Sequence, residues 1–126
     1  MSIPPAAIDV AQLEMMTGGD QALAAEALGI FRNQAELWGR LLDPAAEPSQ
    51  WADAAHTIKG AAKSVGLMDL GDACGRAEAL GRGVPVSPAQ AGVAIAEIKD
   101  RLGEAMEAIA VMEHRLMHGQ GFKRAG

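Results

Sequence analysis

Tyrosine is absent from this 126-residue sequence, aromatic residues of all kinds make up only 3% of it, and cysteine occurs once. A single cysteine excludes an internal disulfide, and the shortage of strand-forming residues argues against a sheet. No basic excess is present either: the formal net charge is -5 at pH 7, which speaks against a general nucleic-acid binder with a cationic face. No apolar run reaches the length needed to cross a membrane. The amino-terminal "MSIPPAAIDVAQLEMM" has neither a basic leader nor an unbroken apolar stretch, so a cytoplasmic protein is expected. Also missing are G-x-x-x-x-G-K-[ST] and any G-x-G-x-x-G following a strand, so the chain has no recognisable cradle for nucleotide phosphates. Any phosphoryl group would have to come from elsewhere. A paired-carboxylate cleft, a triad order and a cofactor box are lacking too, and an autonomous enzyme is not expected.

What remains is a helical vocabulary: 49% of the residues are hydrophobic, and alanine, leucine, methionine and glycine dominate. The length suits one domain with a real core. "IPPAAIDVAQLEMM" reads as a short helix entered through proline, ended by "TGGD". Asp20 caps a second helix whose apolar positions, Leu23, Ala27, Ile30, Phe31, Leu37, Trp38 and Leu41, recur at three- and four-residue steps. Ser49 is the expected cap of a third helix running to about Val65 and closed by Gly66. A fourth spans about Asp69 to Leu80, and a long fifth starts at Pro88 with Ile95, Ile98, Leu102, Met106, Ile109, Met112 and Leu116 on one stripe. Short loops between stripes of this kind predict an all-α fold, an antiparallel four-helix bundle with a short additional amino-terminal helix. The bundle is expected over residues 1–118, with a flexible tail over residues 119–126.

The third helix carries "HTIKGAAKSVGL", residues 56–67. An interior glycine costs roughly 1 kcal/mol of helix stability relative to alanine, so Gly60 needs a reason. At about 100° per residue, Trp51, Ala54, Ile58, Ala61, Ala62 and Val65 share one arc, and His56 falls almost opposite its centre. Gly60 and Lys63 lie close to His56 on the wheel, with Lys59 to one side. His56 is therefore aimed outward, beside two cations that disfavour a further positive charge and would stabilise an anion attached to the ring. A neutral imidazole is the nucleophilic form. A side chain at position 60 would stand beside that imidazole, and its absence opens the approach to a large partner. Elsewhere, His114 and His118 have helical spacing without a third ligand, so no metal site is expected, and Cys74 reads as a small core residue.

"HTIKGAAKSVG" resembles the central pattern of the histidine-containing phosphotransfer (HPt) family, H-x-[IL]-K-G-[SA]-[SA]-x-x-[hydrophobic]-G. "TGGDQALAAEALGIF" and "LGDACGRAE" are similar to the family's flanking segments. The resemblance implies a four-helix-bundle phosphocarrier of a two-component phosphorelay. Its exposed histidine, here His56, takes a phosphoryl group from an aspartyl phosphate on one receiver domain and passes it to another. It further implies that Lys59 and Lys63 favour the phosphate, that Gly60 admits the receiver, and that Glu78 holds one ring nitrogen from the neighbouring helix. Mg²⁺ belongs to the partner receiver, and this chain needs no cofactor of its own. Receivers in the family dock on an apolar patch around the histidine, for which Ala52, Ala55 and Leu13 are candidates. A monomer is the default, although a leftover apolar face would favour dimers. The alternative is a helical interaction module that docks receivers or partner helices without relaying phosphate.

Overall fold

The computed structural model describes residues 7–83 and 85–122. Five helices follow in order: α1 (Val10–Met16), α2 (Gln21–Leu41), α3 (Pro48–Ser64), α4 (Met68–Arg82) and α5 (Pro88–Met117). No strand occurs among the described residues. Helices α2 to α5 form the four-helix bundle, with α3 against α4, α4 against α5, and α2 against both α5 and α3, while α1 packs on α2 and α3. None of the helices is long and apolar enough to cross a membrane among these residues.

Local chemistry explains most of the helix ends. The Asp20 side chain accepts from the Leu23 amide at 3.0 Å, as its place before α2 predicts. Ser87 and Gln90 make a reciprocal capping box at the start of α5, with Pro88 in the first turn. Gly66 takes φ +84°, and the Leu67 amide donates to Ala62 O at 2.9 Å, so α3 closes in a Schellman arrangement. The Gly66 carbonyl also accepts from the Asp9 amide at 2.7 Å, and a Cβ there would collide with the Asp9 carbonyl. One glycine thus ends α3 and lets α1 dock beside it.

Several expectations are corrected. Asp9, not proline, starts α1, accepting from the Gln12 amide; Pro4 and Pro5 lie outside the described residues. Ser49 is inside α3, because Pro48 is already compatible with the first helical turn. In α2 the buried row is Ala24, Leu28, Phe31, Ala35 and Trp38, while Leu23, Ile30, Leu37 and Leu41 remain about half exposed. The helix carries two adjacent apolar rows, and small alanines occupy core positions that larger side chains were expected to fill. The Gln120 amide donates to Arg115 O at 3.0 Å and Phe122 packs against the core, while residues 123–126 lie outside the described set.

Candidate functional site

The α3–α4 pair builds the site. Antiparallel pairing brings Lys63 over Gly71, Lys59 over Gly75 and His56 against Glu78, at a constant sum of residue numbers. Gly71 explains how the Lys63 stem fits, since a Cβ there would stand 2.8 Å from Lys63 Cγ, whereas one at Gly75 would make only an ordinary contact, 3.5 Å from Lys59 Cδ. Gly81 serves the same pair at its far end, where a Cβ would meet Ala52 Cβ and Trp51 Cζ3, each at 2.9 Å.

On this frame His56 projects from α3 with 64% of its side chain exposed, and its Nδ1 lies 2.8 Å from Glu78 Oε2. Lys59 Nζ donates to the other carboxylate oxygen of Glu78 at 2.8 Å. That hydrogen bond is the main reason the Glu78 carboxyl is held below its ordinary value. The charges of His56 and Lys59 add to the effect, and the burial of Glu78 works against it. An ionised carboxylate only accepts, so Nδ1 carries the ring proton that Glu78 receives. The lone pair of a neutral ring is then on Nε2, the nitrogen left free to attack.

Gly60 stands one turn beyond His56, exposed, with no atom within 4 Å of where a Cβ would be. Close packing therefore does not explain it. Lys63 is placed differently from Lys59: its Nζ lies 3.6 Å from Asp72 Oδ1, away from the carboxylate that orients His56. The proposed docking residues are corrected outright, since Leu13, Ala52 and Ala55 are each 0% exposed. Ala52 and Ala55 are covered because α4 packs closely along α3, and Leu13 is the residue by which α1 anchors to the bundle.

Sequence reasoning missed two charged members of the site. Arg82 Nη2 lies 2.6 Å from Asp53 Oδ1 and 3.7 Å from Glu78 Oε2, so this guanidinium is shared between two carboxylates. The antiparallel register that pairs 56 with 78 also sets 53 near 82, but the register is visible only once α3 and α4 are known to be neighbours. Among the described residues, no three histidine, cysteine, aspartate or glutamate side chains are grouped to hold a metal ion. His114 and His118 stack on each other at 4.0 Å between ring centroids. Cys74 is buried, and burial pushes its thiol up to about 12, which leaves it unreactive at neutral pH.

Residues 20–112 match the family model of the Hpt domain. The chain is also similar to the crystal structure of histidine phosphotransferase ShpA from Caulobacter crescentus. The identity is 36% and the TM-score 0.70, over 90% of this chain and 97% of that one. No curated protein matches at a significant level.

Proposed function

As a member of the Hpt domain family this chain is a histidine phosphotransfer protein of a phosphorelay, and we propose that His56 is the residue that carries the phosphoryl group. The observation that supports this most directly is an exposed imidazole whose Nδ1 is tied to Glu78 while Gly60 leaves its approach clear. In the proposed step, Nε2 attacks the phosphorus of an aspartyl phosphate on a receiver domain. The bond from phosphorus to the acyl oxygen breaks, the carboxylate departs with the electron pair, and an Nε2–P bond forms. The Nδ1 proton stays on the ring, where the Glu78 carboxylate balances the charge that develops. The return step reverses this: the Nε2–P electron pair goes back to nitrogen as a second receiver aspartate takes the phosphoryl group. Phosphoryl transfer depends mainly on alignment and charge neutralisation, so a carrier needs little more than this nucleophile. Mg²⁺ and the acidic pocket are assigned to the receiver in this reading.

The exposed row on α2 gives the receiver a surface. Arg32 pairs with Glu113 of α5 at 3.2 Å, which puts α5 on one side of the buried row of α2. Leu23, Ile30 and Leu37 lie off that buried row, and each is about half exposed. They replace Leu13, Ala52 and Ala55 as the proposed apolar contact.

The test is incubation of wild type and His56→Gln with a phosphorylated receiver domain and Mg²⁺, followed by mapping of acid-labile, alkali-stable phosphate. Label on His56 that is lost in the variant, and lost when Mg²⁺ is omitted, is the expected result. A folded wild type that stays unlabelled with several receivers would refute the relay and leave a module that docks receivers without transfer.

A further inference from the structure

Arg82 is the strongest phosphate-binding group near His56, yet it is already occupied. Its Nη2 sits 2.6 Å from Asp53 Oδ1, while Glu78 Oε2 is 3.7 Å away. Asp53 precedes His56 by three residues on α3, the spacing that makes helix side chains neighbours, and both are exposed, Asp53 at 71% of its side chain. The charges near the ring are already paired: Glu78 with Lys59, and Arg82 with Asp53 at 2.6 Å and, more distantly, with Glu78 at 3.7 Å. A phosphoryl group adds about -1.5 to -2 charges when borne by a hydroxyl side chain, and a comparable charge on Nε2 would compete with Asp53 for the arginine. Guanidinium–phosphate pairs are among the stronger charge-assisted interactions a side chain makes, and a carrier clamped by one would release its group slowly.

We infer that Asp53 is a positioning residue that holds Arg82 back from the phosphoryl group, keeping phosphorylated His56 unstable enough to hand the group on. The inference rests on the reading of His56 as the carrier. Asp53 touches neither the ring nor the phosphorus; it acts through Arg82 and through its own negative charge. Removing that charge leaves Arg82 free to join the phosphoryl oxygens and shifts the equilibrium toward phosphorylated His56.

Phosphoramidate tests this without a receiver. Nε2 attacks its phosphorus, the P–N bond of the donor breaks, ammonia leaves with the electron pair, and Nε2–P forms; added ammonia drives the reverse. Wild type, Asp53→Asn and Asp53→Lys are brought to equilibrium with phosphoramidate and ammonia, and the phosphorylated fraction is read by ³¹P NMR. The equilibrium constant should rise roughly three- to tenfold in Asp53→Asn at low salt, the scale of charge interactions near a protein surface. It should rise further in Asp53→Lys, and both gains should shrink at about 1 M salt, where the screening length is only about 3 Å. In an Arg82→Gln background the Asp53→Asn gain should fall below twofold, which a purely structural role of Asp53 would not produce. A change under twofold with Arg82 intact, the same gain in both backgrounds, or a His56 that takes no phosphoryl group would each overturn the inference. Normal loading from phosphoramidate with no transfer from any receiver would instead sink the relay reading alone.

Discussion

Gly60 offers a case in which stability and function should move in opposite directions. The residue lies inside α3, its backbone is helical, and a Cβ would meet nothing within 4 Å. Replacing it with alanine therefore introduces no clash and removes the conformational cost of glycine, a gain of about 0.8–1 kcal/mol. For a chain of this length that corresponds to a rise of about 3–5 °C in the unfolding midpoint. Glutamine and glutamate at the same position should also raise the midpoint, since both are good helix formers. Each would place a flexible side chain beside the imidazole, on the face through which a receiver approaches. Transfer from a phosphorylated receiver should then slow by roughly tenfold or more, a loss of about 1.4 kcal/mol in the transfer step. Glutamine separates the steric obstruction from the extra charge that glutamate brings. Thermal unfolding followed by circular dichroism and rapid-quench transfer kinetics measure the two effects on the same samples. A lowered midpoint in Gly60→Ala would mean that the glycine serves packing. Wild-type transfer by Gly60→Gln would mean that an open approach is not why the helix tolerates it.

Gly81→Ala should behave in the opposite way, because its Cβ would press on Ala52, Trp51 and the Pro48 carbonyl at 2.9–3.0 Å. Overpacking of this kind costs about 1–3 kcal/mol, and an unchanged denaturation midpoint would show that α3 and α4 have more room than their geometry implies. Glu78 should titrate below its ordinary value of 4.5, with Lys59→Met moving it back up because the Lys59 hydrogen bond is the largest cause of the shift. A carboxyl whose folded value is depressed stabilises the native state above its unfolded value, and that contribution fades as pH falls through the depressed one. ¹³C NMR of the Glu78 carboxyl would contradict this if the midpoint appeared at or above 4.5.

Much of the fold was legible along the chain. The cap at Asp20, the start at Pro88, the stop at Gly66 and the stripe of α5 are short-range signals, and the helices they delimit are present. The α2 row was misread because two apolar rows one residue apart have the same period; only the neighbours of a helix decide which row is covered. Ala52 and Ala55 show the same limit on α3. They lie off the centre of the predicted core arc, yet both are buried on a helix that packs along α4, which approaches Ala52 closely through Gly81.

The sequence by itself determined the helices and the outward cluster of His56, Lys59 and Gly60, because helix periodicity fixes which residues within one segment share a face. The role of Glu78 was carried by family resemblance rather than by any local pattern. Tertiary structure alone decided that the Glu78 carboxylate meets both His56 Nδ1 and Lys59. It also decided that Lys63 turns to Asp72 and that Arg82 is held between Asp53 and Glu78. Those contacts depend on which helices are adjacent and in what register, and register depends on close approaches between helices, such as those that Gly71 and Gly81, lacking a Cβ, allow between α4 and α3. No periodicity within a single helix encodes that choice.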